Sequence, residues 1–315
     1  MTSLRPLGRS DLLVFPLALG GNVFGWSADR DQSFAVLDAY TAAGGNVVDT
    51  ADAYSAWVEG NQGGESETLI GEWLTARGNR SDVVIATKVG AHPQYKGLSA
   101  TTIKAAAEES LRRLGTDYID LYYTHFDDPT VPVEEIVTAL DQLVRDGKVR
   151  AVAASNISSE RLQASLDFAE AEGLARYVAL QPHYNLLSRD TYEGELLATA
   201  ERAGLASLPY YALASGFLTG KYRPGRTVDS VRAHGAAAHA ESERGRRILA
   251  ALDTVAQAHE AEVATVALAW LASRPTVAAP IASARTVEQL PALVAVADLR
   301  LTSAELTLLT EASAS

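Results

Sequence analysis

Short apolar runs alternate with amphipathic stretches along almost the whole of this 315-residue chain, and no other feature constrains its fold so tightly. The apolar runs read as strands: "FPLALG" (15–20), "NVVDT" (46–50), "DVVIATK" (82–88), "YIDLYYTH" (118–125), "VRAVAAS" (149–155), "YVALQ" (177–181), "LASLPY" (205–210) and "TVAAPIAS" (276–283). Between them, apolar residues recur at helical spacing over 30–44, 66–77, 101–115, 132–147, 158–173 and 189–204, with two more helices near 243–273 and a final helical stretch. The strands are nearly continuous in apolar character, as parallel strands covered on both faces must be. Glycines at 44, 115, 147, 173 and 204 stand where helices end in a left-handed cap. Strand–helix units of roughly 30–40 residues have the length of a βαβ crossover. Eight of them predict an α/β fold, a closed (β/α)8 or TIM barrel, in one domain spanning residues 1–315. The alternative, an open doubly wound sheet, usually follows its first strand with G-x-G-x-x-G, and "LGGNVFG" (19–25) does not have that spacing. The segment "RPLGRSDLLVF" (5–15) is expected to form a hairpin that plugs the barrel floor. Two connections are long, 51–65 and 211–242, and long loops in compact domains are usually functional or mobile.

Composition narrows the function. With 47% hydrophobic residues the chain supplies a full core, and with no cysteine it has neither disulfides nor thiolate metal sites. The histidines at 92, 125, 183, 234, 239 and 259 form no HxxxH or HxH pair, so no metal site is predicted. The formal net charge of −12 and the absence of a dominant Lys/Arg cluster argue against a nucleic-acid partner. "MTSLRPLGRSDLLVF" lacks the apolar core of a signal peptide and no later run is long enough to span a bilayer. The expectation is a soluble, cytoplasmic protein without a membrane partner.

In a (β/α)8 barrel the C-terminal strand ends build the site. Here they carry Asp49, with Tyr54 just beyond, then Lys88, His125, Ser155-Asn156, Gln181 and Tyr210. A buried strand gains nothing from ending on Asp or Lys unless the charge is paired, and Asp49 and Lys88 come from adjacent strands. A lysine beside a phenol favours phenolate, so Lys88, held by Asp49, is expected to lower the Tyr54 pKa and make it a proton donor near neutrality. His125 is placed to donate a hydrogen bond to a carbonyl oxygen. The set suits protonation of a carbonyl oxygen while another group delivers hydride to its carbon.

The segments "DTADAY", "ATKVG", "YYTHFDDP", "AASNIS", "LQPHYNLL", "PYYALASGFLTGKY" and "PIASARTVEQL" together resemble the aldo-keto reductase superfamily over nearly the whole chain and in the family's order. The resemblance implies metal-free reduction of aldehydes and ketones with NADPH, NADH being the competing cofactor. It places the catalytic tetrad on Asp49, Tyr54, Lys88 and His125, with Tyr54 as general acid. It implies that Ser155, Asn156 and Gln181 hold the nicotinamide carboxamide and that Tyr210 stacks on the ring. The backbone of Leu213, Gly216 and Leu218, with Lys221, would take the pyrophosphate. Arg285 and Gln289 would lie near the adenosine end, and Gly21, Asn22 and Ser283 complete the implied cofactor set. Two departures stand out: "EQLPALV" carries Pro291, Ala292 and Leu293 where the family often has an acidic residue and an asparagine, and Tyr211-Ala212 replaces the usual Ser-Pro.

Simpler readings compete for each residue. Asp49 and Lys88 could be a structural pair, His125 a core histidine, Ser155-Asn156 a helix cap in competition with Ser158, Gln181 a partner for backbone groups and Arg285 a solvated side chain. Trp57 either lines a substrate pocket or covers the rim. "GFLTGKY" (216–222) lacks the spacing of a phosphate loop. Two other functions compete with a reductase of small carbonyl compounds. One is a cofactor-binding regulatory subunit with vestigial activity. The other is a hydrolase using Asp127 and Asp128, although adjacent carboxylates on a turn rarely straddle a bond. The shapes of loops 51–65, 126–132 and 211–242 decide which carbonyl is accepted.

Overall fold

The computed structural model describes residues 4–223 and 238–314. Its central sheet has eight parallel strands: β1 (Ala18–Gly20), β2 (Val47–Asp49), β3 (Val84–Val89), β4 (Ile119–Thr124), β5 (Val149–Ser155), β6 (Tyr177–Gln181), β7 (Ala206–Ser207) and β8 (Ile281–Ala282). From β1 to β7 each pairs with the next, and β8 pairs with β1 through Ile281↔Ala18. The seam between β7 and β8 is closed by a bridge from Ser207 to Val277 and by the Ile281 N–H on the Pro209 carbonyl at 2.9 Å. This is the (β/α)8 barrel that the strand–helix rhythm predicts. The last two strands are shorter than the apolar runs 205–210 and 276–283, because Pro209 and Pro280 have no N–H to give to a ladder.

Alternation along the strands separates two cores. Val47, Val84, Ala86, Leu121, Tyr123, Ala151, Ala153 and Ala179 point into the barrel. Val48, Ile85, Tyr122, Val152 and Leu180 point outward, where they meet the helices. The alanines leave little to fill the floor, and Leu7, Leu12 and Val14 of the N-terminal hairpin (Arg5–Pro6 with Leu13–Val14) complete the inner cluster. Gly8 seats that hairpin: a Cβ there would lie 2.1 Å from the Val178 carbonyl oxygen. The expected floor plug is present.

Around the barrel lie α1 (Arg30–Ala42), α2 (Glu65–Arg77), α3 (Ala100–Leu114), α4 (Val133–Arg145), α5 (Ser159–Glu172), α6 (Glu195–Ala203), α7 (Glu243–Ala258), α8 (Val263–Ala272), α9 (Leu290–Val294) and α10 (Ser303–Ala312). The five expected terminal glycines all have positive φ, between 62° and 88°. The Ser158 side chain accepts the Arg161 N–H at 3.2 Å and caps α5, which frees Ser155 and Asn156 from that duty. Two local expectations differ. The helix predicted over 189–204 begins only at Glu195, because Gly194 at φ 112° and ψ −136° breaks the preceding turns. A hairpin at Ala91–His92 and Tyr95–Lys96, between β3 and α3, was not anticipated. Its signal is the turn-forming Pro93 flanked by Gly90 and Gly97.

Candidate active site

The inward register that packs Val47 and Ala86 also aims Asp49 and Lys88 into the barrel mouth. Asp49 pairs with Ala86, and Lys88, two residues further along, pairs with Tyr123. Lys88 is fully buried and Asp49 is 2% exposed. The ammonium donates to the two Asp49 oxygens at 2.9 and 2.8 Å and to the Thr50 carbonyl at 2.7 Å. Its remaining contact is the Tyr54 hydroxyl at 3.2 Å. Gln181 adds its side-chain N–H to Asp49 Oδ1 at 2.7 Å, a link across the barrel that spacing did not reveal. A pair that only closed the barrel would have no reason to reach a phenol at the pocket floor.

The electrostatics correct one expectation. Tyr54 is not lowered towards neutrality: burial, and then the Asp49 carboxylate, hold its pKa well above 10. The lysine's charge is largely answered by Asp49, so its net field at the phenol is small and desolvation of the phenolate dominates. Burial likewise pulls the Lys88 ammonium below its ordinary value, against the Asp49 carboxylate. Burial, and then Lys88, push the His125 pKa down to about 3, so the imidazole is neutral at physiological pH. Its ring centroid is 6.0 Å from that of Tyr54, at 74°, and its Nδ1 is buried without a hydrogen-bond partner among the described residues.

Asp49, Tyr54 and His125 floor a cavity of about 970 Å³. Its lining includes Trp57, Phe126 and Tyr211, each about half exposed. Trp57 packs edge-on against Trp26 and Tyr54, at 5.6 and 6.1 Å, so it lines the pocket. Asn22, Ser155, Asn156, Gln181, Tyr210, Leu213, Gly216, Lys221, Ser283, Arg285 and Gln289 line it too. The Ser283 hydroxyl ties to Asn22 Oδ1 at 2.7 Å, and Gln289 Oε1 accepts the Arg285 N–H at 2.9 Å. Tyr210 donates to Asn156 Oδ1 at 2.8 Å and is backed by the stacked His183 ring at 5.3 Å. Asn156 also donates to the carbonyl of His125 and to Ser155 Oγ, so its amide braces three site residues.

Three expected residues do not line the cavity. Lys88, fully buried, meets it only through Asp49 and Tyr54. Gly21 lies behind the cavity wall, where its carbonyl accepts the Ser66 hydroxyl at 2.8 Å. Leu218 is fully buried under the 3-10 turn Ala214–Thr219, with its N–H spent on the Leu213 carbonyl at 3.2 Å. Asp127 is held by Arg161 at 3.0–3.2 Å and Asp128 binds the Thr130 hydroxyl at 2.6 Å. Neither carboxylate lines the cavity, which removes the basis for a hydrolase pair. Glu262, Pro93 and Tyr211 line it unannounced by any strand-end pattern. Tyr211 has φ 53°, a left-handed conformation that a bulky residue rarely adopts away from functional sites. Of the histidines without an assigned role, His92 packs behind the site, His239 and His259 lie elsewhere, and His234 is outside the described residues. Among the described residues no group of three or more His, Asp or Glu could hold a metal, and no helix is long and apolar enough to cross a membrane.

The sequence profile of the aldo/keto reductase family matches residues 16–314. The chain belongs to the aldo/keto reductase family. It is 35% identical to aldo-keto reductase ausK of Aspergillus calidoustus, over 93% of this chain and 77% of the relative. It is 31% identical to the norsolorinic acid reductase of Aspergillus flavus, over 88% and 72%. It is 30% identical to the aryl-alcohol dehydrogenase [NADP(+)] of Phanerodontia chrysosporium, over 95% and 83%. Family membership makes the chain an oxidoreductase acting on small carbonyl compounds with a nicotinamide cofactor.

Proposed function

We propose that the chain is an NADPH-dependent reductase of aldehydes and ketones, with Asp49, Tyr54, Lys88 and His125 as its catalytic residues and Tyr54 as the general acid. The observation that carries this reading is the single ammonium that joins the Asp49 carboxylate to the Tyr54 hydroxyl at the cavity floor. A phenol held well above pH 10 keeps its proton until an oxygen of alkoxide basicity forms beside it. The neutral His125 ring, one nitrogen of which carries hydrogen, holds the carbonyl oxygen towards Tyr54. Lys88 then steadies the phenolate left after proton transfer. When bound, a reduced nicotinamide supplies the hydride.

The residues present fit such a cofactor. Tyr210 offers one ring face to the cavity with its other face braced, Ser155 and Gln181 supply amide partners, and Lys221 and Arg285 supply cations for phosphates. Left-handed backbone at Tyr211, Ala214 and Ser215, φ 53°, 47° and 55°, is strain of the kind kept at binding loops. NADPH over NADH rests on Arg285, and the Phanerodontia relative's name points the same way. The aromatic side chains lining the cavity, with relatives named for norsolorinic acid and aryl alcohols, support planar aromatic carbonyls as substrates.

Loss of nicotinamide absorbance with a panel of aryl and alkyl aldehydes and ketones, run with NADPH and NADH side by side, tests the proposal. Turnover with NADPH, fastest on aryl carbonyls, is expected. Tight NADPH binding without turnover of any carbonyl would sink it.

A further inference from the structure

Behind the tetrad lies a second polar cluster that the mechanism does not use. The turn after β2 carries the Thr50 and Asp52 N–H groups onto the Ala86 and Lys88 carbonyls, at 2.8 and 3.3 Å, and so extends the ladder with β3. The turn leaves Asp49 on the inner side of the wall with Lys88. Asp52 lies among groups on its outer side. Glu67 from α2, Arg113 from α3 and Tyr122 from β4 face it there, Lys88 lies behind it on β3, and His92 lies beyond them.

Asp52 is fully buried, and neither carboxylate oxygen has a hydrogen-bond partner among the described residues. The Ala53 N–H lies near it without reaching hydrogen-bonding geometry. The nearby cations are already engaged. Arg113 gives its Nε–H to Glu67 Oε2 at 2.6 Å, and the other Glu67 oxygen accepts the Thr87 hydroxyl at 2.6 Å. Lys88 is taken by Asp49, Thr50 and Tyr54. An ionised Asp52 would be a buried anion without a counter-charge of its own, the arrangement that proteins avoid by taking up a proton.

We propose that Asp52 is carried as a neutral carboxylic acid and is a positioning residue for Lys88. It fills the outer side of the wall with a polar but uncharged group, so that Asp49 remains the lysine's one anionic partner and holds the ammonium on the Tyr54 side. The catalytic part of this inference rests on the reductase reading, whereas the protonation state does not.

Burial, and then the charge of Glu67, hold the Asp52 carboxyl well above the ordinary aspartate range, in agreement with that assignment. The sign of the linkage follows. An acid whose folded pKa lies above its unfolded value near 3.9 weakens the fold progressively as pH rises from about 4 towards the folded pKa. Asp52→Asn removes this loss. The expected melting temperature of Asp52→Asn therefore equals that of the parent near pH 4 and exceeds it by a margin that grows as pH rises. A variant that instead loses stability as pH rises would show that Asp52 is ionised, and would overturn the proposal.

An infrared spectrum of the parent labelled with 13C-aspartate gives a second readout that needs neither a variant nor activity. A protonated carboxyl stretch at pH 7 is expected, and its absence overturns the proposal. The positioning role is read from kinetics: Asp52→Ala lowers kcat for carbonyl reduction by roughly tenfold with little change in KM, and Asp52→Asn restores it. Equal loss in both variants would leave Asp52 as packing alone and refute that role. Inactivity of the parent towards every carbonyl would refute the reductase reading and leave the melting and infrared results standing.

Discussion

The barrel holds a buried carboxylate at each end, and the two are used differently. At the floor, Asp120 near the start of β4 accepts from Arg80 at 2.7 Å, from Arg150 at 2.7 Å and from the Ile85 N–H at 2.9 Å. Every partner is another structural element, and the cluster ties β3, β4 and β5 together. At the mouth, Asp49 is held as tightly, yet its lysine partner keeps one contact for a phenol that faces an open cavity. Equal burial therefore does not separate a structural ion pair from one proposed to be catalytic. What separates them is whether the network ends on protein or on a titratable group at a pocket.

That contrast is tested most severely at its functional end. Tyr54→Phe removes only the proposed proton donor. It is expected to lower kcat for reduction by about 10²–10⁴-fold while NADPH binding, read by fluorescence titration, stays unchanged. Retained turnover would place the acid elsewhere. At the floor the reverse is expected: Asp120→Ala leaves two guanidiniums without their buried carboxylate and costs about 3–5 kcal/mol in urea unfolding, while kcat per folded molecule is preserved. A large loss of kcat in Asp120→Ala would erase the distinction between the two ends.

The pH dependence sharpens the same comparison. Because Tyr54 is held well above 10, reductive kcat should be flat from pH 6 to pH 9, with no limb from the phenol in that range. His125 gives the opposite sign in stability. Its folded pKa of about 3 lies below the unfolded value near 6.5, so the unfolded chain takes up the proton first and stability falls as pH drops from about 6.5 towards 3. His125→Gln should flatten that acid-side loss in a pH series of thermal melts. The smallest expected effect is at Arg285, where Arg285→Ala should weaken NADPH binding about tenfold and leave NADH binding nearly unchanged. Equal weakening of both would move the 2′-phosphate contact to another residue.

Much of this was legible in the residues. The strand–helix rhythm gave the barrel and the floor hairpin, because parallel strands covered on both faces and amphipathic helices have periods that a linear pattern records. Residues at strand ends gave Asp49, Lys88 and His125, because period-two alternation carries a charge inward wherever its apolar neighbours two residues away are inward. What the pattern lacked came from across the barrel. The Gln181 bond to Asp49 spans 132 positions, and the rim position of Tyr211 depends on a left-handed turn. The local sequence names neither partner.

By itself, then, the sequence determined the architecture, the family and which side chains share the barrel mouth. These follow from periodicity and from motifs in a constant order. The tertiary structure alone decided which way the phenol and ammonium are shifted. Lys88 beside Tyr54 predicts a lowered phenol when the two are considered as a pair, but burial of both and the Asp49 carboxylate reverse the direction. Desolvation depends on everything that excludes water from a group, and that enclosure is set by helices and strands distant in the chain.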